Sequence, residues 1–189
     1  MTADPDLTLI DALKLGDQDA IGELMRRHQE ALYRFVFRYT GNDAVARDTV
    51  QETFVRVYFK ASLFKPRSSV KTWIYAIALN LCRDSARRFS RSPSLVSLDA
   101  PSGENETPFQ VADSKAAPDE VAEKHEELGR LREAIAALPD QLRSVLVLFV
   151  LEQRSQKEVA EILGTTPKTV ELRVYRAKAK LREILSGVT

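Results

Sequence analysis

The feature that most limits this chain is a break in its pattern. From Ser92 to about Pro118 helical periodicity disappears: Pro93, Pro101, Gly103, Pro108 and Pro118 stand among Ser, Asp and Glu, with few large apolar residues. Such a segment cannot bury enough apolar surface to offset the entropy of ordering it, and it reads as an extended tether. On either side lie periodic stretches long enough for a small domain each. The expectation is an all-α chain: small helical domains over 1–92 and 126–189, joined by a flexible acidic linker over 93–125.

Charge follows the same division. The net charge is only +1, but residues 1–92 carry 15 Lys and Arg against 11 Asp and Glu, 93–125 carry 2 against 7, and 126–189 carry 11 against 9. Residues 60–91 hold 8 basic residues and 1 acidic, and 168–182 hold 6 and 1. Two basic patches around an acidic middle indicate a nucleic-acid binder with two footprints, although either patch alone also fits a solvated helix face.

Other classes are excluded early. No window holds the ~18 consecutive apolar residues of a membrane span, so no membrane insertion is expected. The start, Met1 to Asp6, is acidic where an export signal would be basic, which points to the cytoplasm. Cys82 is the single cysteine and His28 and His125 the only histidines, so neither an internal disulfide nor a zinc cluster is expected. With no Gly-rich phosphate loop and no nucleophile–histidine pairing, neither an enzyme nor a cofactor is expected.

Ile21, Leu24, His28, Leu32, Phe35 and Tyr39 fall on one stripe of a long helix, which Gly41 stops and after which Asn42 or Asp43 caps the next. That next helix, about Ala44 to Ser62, buries Val50, Phe54 and Val57. Its opposite face shows Asp48, Gln51, Glu52, Val55 and Arg56, by default a solvated stripe. Pro66 interrupts. A third helix runs from about Val70 to Phe89, and a short one covers Leu7 to Leu15. The stretch after Phe64 mixes bases with rings, as single-strand binding requires; for Trp73, packing in the core fits equally well. His28 reads as a core or edge residue, His125 as solvated, and Cys82 as a small packed side chain.

In the second half Leu128, Leu131, Ile135 and Leu138 keep helical spacing up to Pro139, and Leu142 to Leu151 reads as a central buried helix. Ser155 and Glu158 form a capping box for a short helix that Gly164 closes. Thr166 and Pro167 open the last helix as N-cap and first helical position. With Val170 at zero, Val174, Ala177 and Leu181 lie within about 40° of it, while Lys168, Leu172 and Tyr175 lie opposite and Thr169, Glu171 and Arg176 flank them, at ~100° per residue. Two helices around a tight Gly-containing turn, the second basic, form a helix-turn-helix pattern; an ordinary helical hairpin is the plainer alternative.

Three segments, Phe35 to Asn42, Asp48 to Tyr58 and Thr72 to Asn80, closely resemble the region 2 domain of extracytoplasmic-function (ECF) sigma factors. Leu95-Val96-Ser97-Leu98-Asp99 resembles the family's linker. Ala136 to Pro139 and Glu158 to Ala177 resemble its region 4 domain. The likeness covers about residues 17–186 in the family's order.

The resemblance implies an alternative sigma factor that binds core RNA polymerase, directs it to promoter DNA and is held inactive by an anti-sigma factor. Asp48, Gln51, Glu52 and Arg56 would dock on the clamp coiled coil, with the polymerase flap as a further contact. Phe64, Lys65, Arg67, Ser68, Ser69 and Lys71 would capture a flipped base of the minus-ten element. Trp73, Asn80, Arg83, Arg87 and Arg88 would support the melted strand. Thr166, Pro167, Lys168, Thr169, Glu171, Leu172, Arg173 and Arg176 would read the minus-thirty-five element, with Glu171 and Leu172 standing where the family often has Lys and Ser. An inhibitor wedged between the two domains is one inhibited state, and no C-terminal regulatory extension is expected after the last helix. The alternatives are a stand-alone helix-turn-helix regulator and a sigma-like decoy for anti-sigma factors.

Overall fold

The computed structural model describes residues 4–91 and 118–187, and the regular structure among them is helical. The first unit comprises α1 (Leu7–Lys14), α2 (Asp19–Thr40), α3 (Asp43–Lys60), a 3-10 turn (Ala61–Leu63) and α4 (Val70–Arg91). Its core forms where Leu24, His28, Leu32, Phe35 and Tyr39 of α2 meet Val50, Phe54 and Val57 of α3 and Ile74, Tyr75 and Leu79 of α4, all buried. The α2 stripe is as the periodicity predicts, except that Ile21 sits at its edge.

Local chemistry sets the boundaries. Gly41 ends α2 with a φ of 69°, the left-handed conformation that costs glycine least. The Asn42 side chain then accepts from the Val45 N–H at 3.0 Å and caps α3. Ser69 caps α4 by accepting from the Thr72 N–H at 3.1 Å. Asp6 is buried and accepts from Arg27 at 2.9 Å while lying 2.6 Å from His28 Nε2, which explains how an imidazole fits on the buried stripe.

The second unit comprises α5 (Pro118–Ala136), α6 (Asp140–Val145), a π-helical segment (Leu146–Leu151), α7 (Gln156–Leu163) and α8 (Pro167–Ser186). Two expectations change. The central helix widens after Val145, because Val145, Leu146, Val147 and Leu148 are all buried, more than one stripe of an ordinary helix would place inside. Helix α5 begins at Pro118, so residues 118–125, assigned to the linker, are its first turns. Proline suits the first helical position, and no further Pro or Gly follows until Gly129. The rest of the expected linker, including Leu95 to Asp99, lies outside the described residues, as does the side chain of His125.

The two units touch. Helix α4 packs on α7, and α2 packs on α5 and on the π-helical segment.

Candidate polymerase and nucleic-acid interfaces

On α3 the inward face takes Thr49, Val50, Thr53, Phe54 and Val57, and this leaves Asp48, Gln51 and Glu52 exposed. Arg56 Nε donates to Glu52 Oε1 at 2.8 Å, so the stripe ends on a partly neutralised carboxylate. Beyond it the surface turns apolar: Val55, Phe59 and Leu63 are 48%, 73% and 71% exposed. Sequence reasoning passed over Phe59 and Leu63. The spacing 55, 59, 63 was the available signal, since it continues one helical face past the last acid.

The expected minus-ten residues divide into two groups. Lys65, Arg67, Asn80, Arg87 and Arg88 are exposed. Phe64 is buried, its ring 5.0 Å from that of half-buried Trp73, so this pair props the loop from beneath. Ser68 is half-buried, and Ser69 is engaged in capping. Lys71 and Arg83 reach the seam between the units. Burial, then the nearby charge of Arg154, holds the Lys71 ammonium below its ordinary pKa. Arg83 Nε donates to Asp140 Oδ2 at 3.0 Å. Farther in, burial pushes the Cys82 thiol up to about 12, which suits a packed, unreactive side chain.

The seam combines apolar contact, where Phe37 meets Leu128, Leu131 and Ile135, with a set of polar contacts. Arg38 Nη1 donates to Glu152 Oε1 at 2.7 Å and to the Leu151 carbonyl at 2.8 Å. The Arg154 guanidinium lies 4.1 Å from the centre of the Tyr75 ring, within the range of a cation–π contact. Tyr39 donates its hydroxyl proton to Asp140. Glu152 and Arg154 flank Gln153, whose φ of 50° is left-handed, so a strained turn aims both charges at the first unit. Sequence reasoning placed Tyr39 on the buried stripe of α2 and Lys71 and Arg83 at the minus-ten element, and no local pattern marks any of the seam residues as a contact between the units.

The helix-turn-helix forms as its spacing requires. Ser155 and Glu158 complete their capping box, Gly164 takes a φ of 60°, and Thr166 Oγ1 accepts from the Thr169 N–H at 3.2 Å ahead of Pro167. Val170, Val174 and Ala177 anchor α8, while Lys168, Glu171, Leu172, Tyr175 and Arg176 face solvent. Thr169 and Arg173 sit half-buried at the margin. Lys168 and Glu171 approach to 3.8 Å on this exposed surface, a pair that contributes little. No helix among the described residues is long and apolar enough to cross a membrane.

Comparison with known proteins fits this layout. Residues 24–92 match the model of sigma-70 region 2, and residues 128–181 that of sigma-70 region 4. The chain is 30% identical over 177 residues to the ECF RNA polymerase sigma factor SigW of Bacillus subtilis, covering 93% of this chain and 94% of that one. It is 32% identical over 184 residues to the RNA polymerase sigma factor CnrH of Cupriavidus metallidurans, covering 97% and 96%. Among solved structures it is similar to CnrH in complex with the cytosolic domain of CnrY, with a TM-score of 0.69 and 27% identity, covering 97% of this chain and 99% of that one. Both domains being matched in order along nearly the whole length, the chain belongs to the ECF sigma factors of RNA polymerase.

Proposed function

We propose that the chain is a dissociable promoter-specificity subunit acting in the cytoplasm, with no catalytic chemistry of its own. The observation that carries this reading is the exposed stripe of Asp48, Gln51 and Glu52 continued by Val55, Phe59 and Leu63. A DNA-binding regulator that works alone has no use for the acids of this face, whose charge opposes phosphate. Core polymerase docks there through its clamp coiled coil. Lys65, Arg67, Asn80, Arg87 and Arg88 track the melted minus-ten strand, and α8 enters the major groove at the minus-thirty-five element. The loop over Phe64 and Trp73 captures an unstacked base, which offsets an unstacking cost of a few kcal/mol.

The two promoter elements are centred about 25 base pairs apart, or about 85 Å at 3.4 Å per base pair. Two small units in direct contact cannot reach both. The stretch between α4 and α5 extends to at most about 90 Å at ~3.4 Å per residue, enough to let them separate. The closed arrangement is therefore the one without promoter. CnrH is solved in complex with the cytosolic domain of CnrY, and an anti-sigma factor that covers the α3 stripe of this chain would hold it inactive by keeping polymerase off that face.

Run-off transcription with core polymerase and a randomised promoter library tests the reading. Discrete start sites are expected. A library that yields none makes the chain a decoy or an independent regulator. Reversing both acids, with Asp48→Lys and Glu52→Lys, is expected to weaken polymerase binding at least ~10-fold; unchanged binding removes the docking role of the stripe.

A further inference from the structure

Between the units lies a solvent-open cleft of about 520 Å³, lined by Tyr39, Arg83, Arg87, Asp140, Arg143 and Arg173. Four guanidiniums thus share a space with one carboxylate, and both oxygens of that carboxylate are in use. Asp140 accepts from the Tyr39 hydroxyl through Oδ1 and from Arg83 Nε at 3.0 Å through Oδ2. Arg87 has Asp84 at 3.7 Å on the exposed surface. Arg143 lies over the Tyr39 ring at 5.1 Å and donates to the Leu138 carbonyl at 3.3 Å. Among the described residues no carboxylate comes within ion-pair reach of Arg143 or Arg173.

Closing the units therefore gathers four guanidiniums around one shared carboxylate, Asp140. A cleft lined by one sign of charge between low-dielectric walls concentrates counter-ions, and the planar guanidinium matches phosphate oxygens two at a time. The volume falls within the range of ordinary small-ligand sites. Arginines reach it from α4 in the first unit and from α6 and α8 in the second, so one anion touching all of them ties the units together. A single phosphate has oxygens enough for about two forked guanidiniums, whereas linked phosphates present further oxygens along a chain and can reach arginines of both units at once.

We propose that this cleft binds an anion of two or more linked phosphates, and that binding holds the two units closed. The same chemistry is available from a free polyphosphate chain or from the backbone of a nucleic-acid strand. Whatever binds only the closed form stabilises it by mass action, so at 100 times its dissociation constant the closed population gains about 100-fold. The proposal does not depend on the promoter reading, because it concerns the free chain.

The test is isothermal titration of the full chain with sodium tripolyphosphate, and separately with sulfate at matched ionic strength. Tripolyphosphate is expected to bind one to one and at least ~10-fold more tightly than sulfate. The double variant Arg143→Gln, Arg173→Gln is expected to lose that preference. Arg87→Gln, on an exposed side chain that cannot unsettle the core, is expected to weaken binding in the same direction should the double variant fold poorly. Arg26→Gln, on the exposed surface of α2 and outside the cleft, is expected to change nothing. A six-nucleotide oligothymidylate distinguishes the sources: displacement by tripolyphosphate with the same variant sensitivity assigns the cleft to a strand, and insensitivity assigns it to a free anion. Tripolyphosphate binding no tighter than sulfate, or an Arg26→Gln loss equal to that of the cleft variants, overturns the proposal.

Discussion

Along α4, Arg83 is held by Asp140 at 3.0 Å and Tyr75 lies beneath the Arg154 guanidinium at 4.1 Å, whereas along α8 Lys168, Leu172, Tyr175 and Arg176 all meet solvent. Both helices carry a basic surface suited to DNA, and the fold treats them differently. The α8 face is presented in the free chain, with only Arg173 turned to the cleft. Part of the α4 face is engaged across the seam. On the proposed function the difference is one of linkage: duplex reading by α8 would need little rearrangement, while full use of α4 would require the units to part, at a cost to its apparent affinity.

The largest expected effect comes from breaking the seam at its most buried ion pair. The side chains of Arg38 and Glu152 are 22% and 8% exposed, and Glu152→Ala removes the carboxylate of this pair while the bond from Arg38 to the Leu151 carbonyl remains. This should favour the open form by roughly 1–3 kcal/mol, a shift of about 5- to 150-fold in population. Small-angle scattering should show a larger radius, and binding of single-stranded minus-ten oligonucleotide should tighten while duplex binding by α8 stays constant. Tightening of both together would erase the contrast between the helices.

A smaller and more local effect belongs to α8. Glu171 is the one carboxylate on a surface otherwise set to meet phosphates, where it is tolerated only if it accepts from a base amino group, as from cytosine, and Leu172 beside it suits a thymine methyl. Glu171→Gln and Leu172→Ala should each relax the promoter preference at one position by about tenfold, without altering the radius of the free chain. Selected promoters identical to those of the unaltered chain would refute base reading at these positions. Asp140→Asn comes next. It weakens the acceptor for Arg83 and should increase single-strand binding severalfold, as expected for loss of ~1 kcal/mol at a half-exposed pair.

What could be read from sequence was local. Asn42, Gly41, Ser155 with Glu158, Gly164 and Thr166 each act within four residues of their own positions, and each does what its spacing implies. The α8 faces follow from helical period alone. The seam was out of reach for the opposite reason: Arg38 and Glu152 are 114 residues apart and Arg83 and Asp140 are 57 apart, and nothing in either neighbourhood specifies the partner. Phe64 shows a third case. Its place beside basic residues fits base stacking, but the turn at Pro66 folds it inward against Trp73. Phe59 and Leu63 lie four and eight residues after Val55, so their shared exposed face is legible from spacing.

The smallest effects measure how firmly the seam joins the two regions. Asn42→Ala removes a cap from the first unit and Ser155→Ala removes one from the second, each costing about 1 kcal/mol. If the units unfold as one cooperative body of about 150 residues, either change lowers a single melting transition by about 2–4 °C. If they unfold separately, only one of two transitions moves, and it moves by about 4–8 °C because a smaller body has a smaller unfolding entropy. Calorimetry of both variants is expected to show the single, smaller shift. The same two changes made on Glu152→Ala should show the divided, larger one, since opening the seam uncouples what each cap stabilises. Two transitions in the unaltered chain would mean that the contacts of Arg38 and Arg154 hold α4 too weakly to distinguish it from α8.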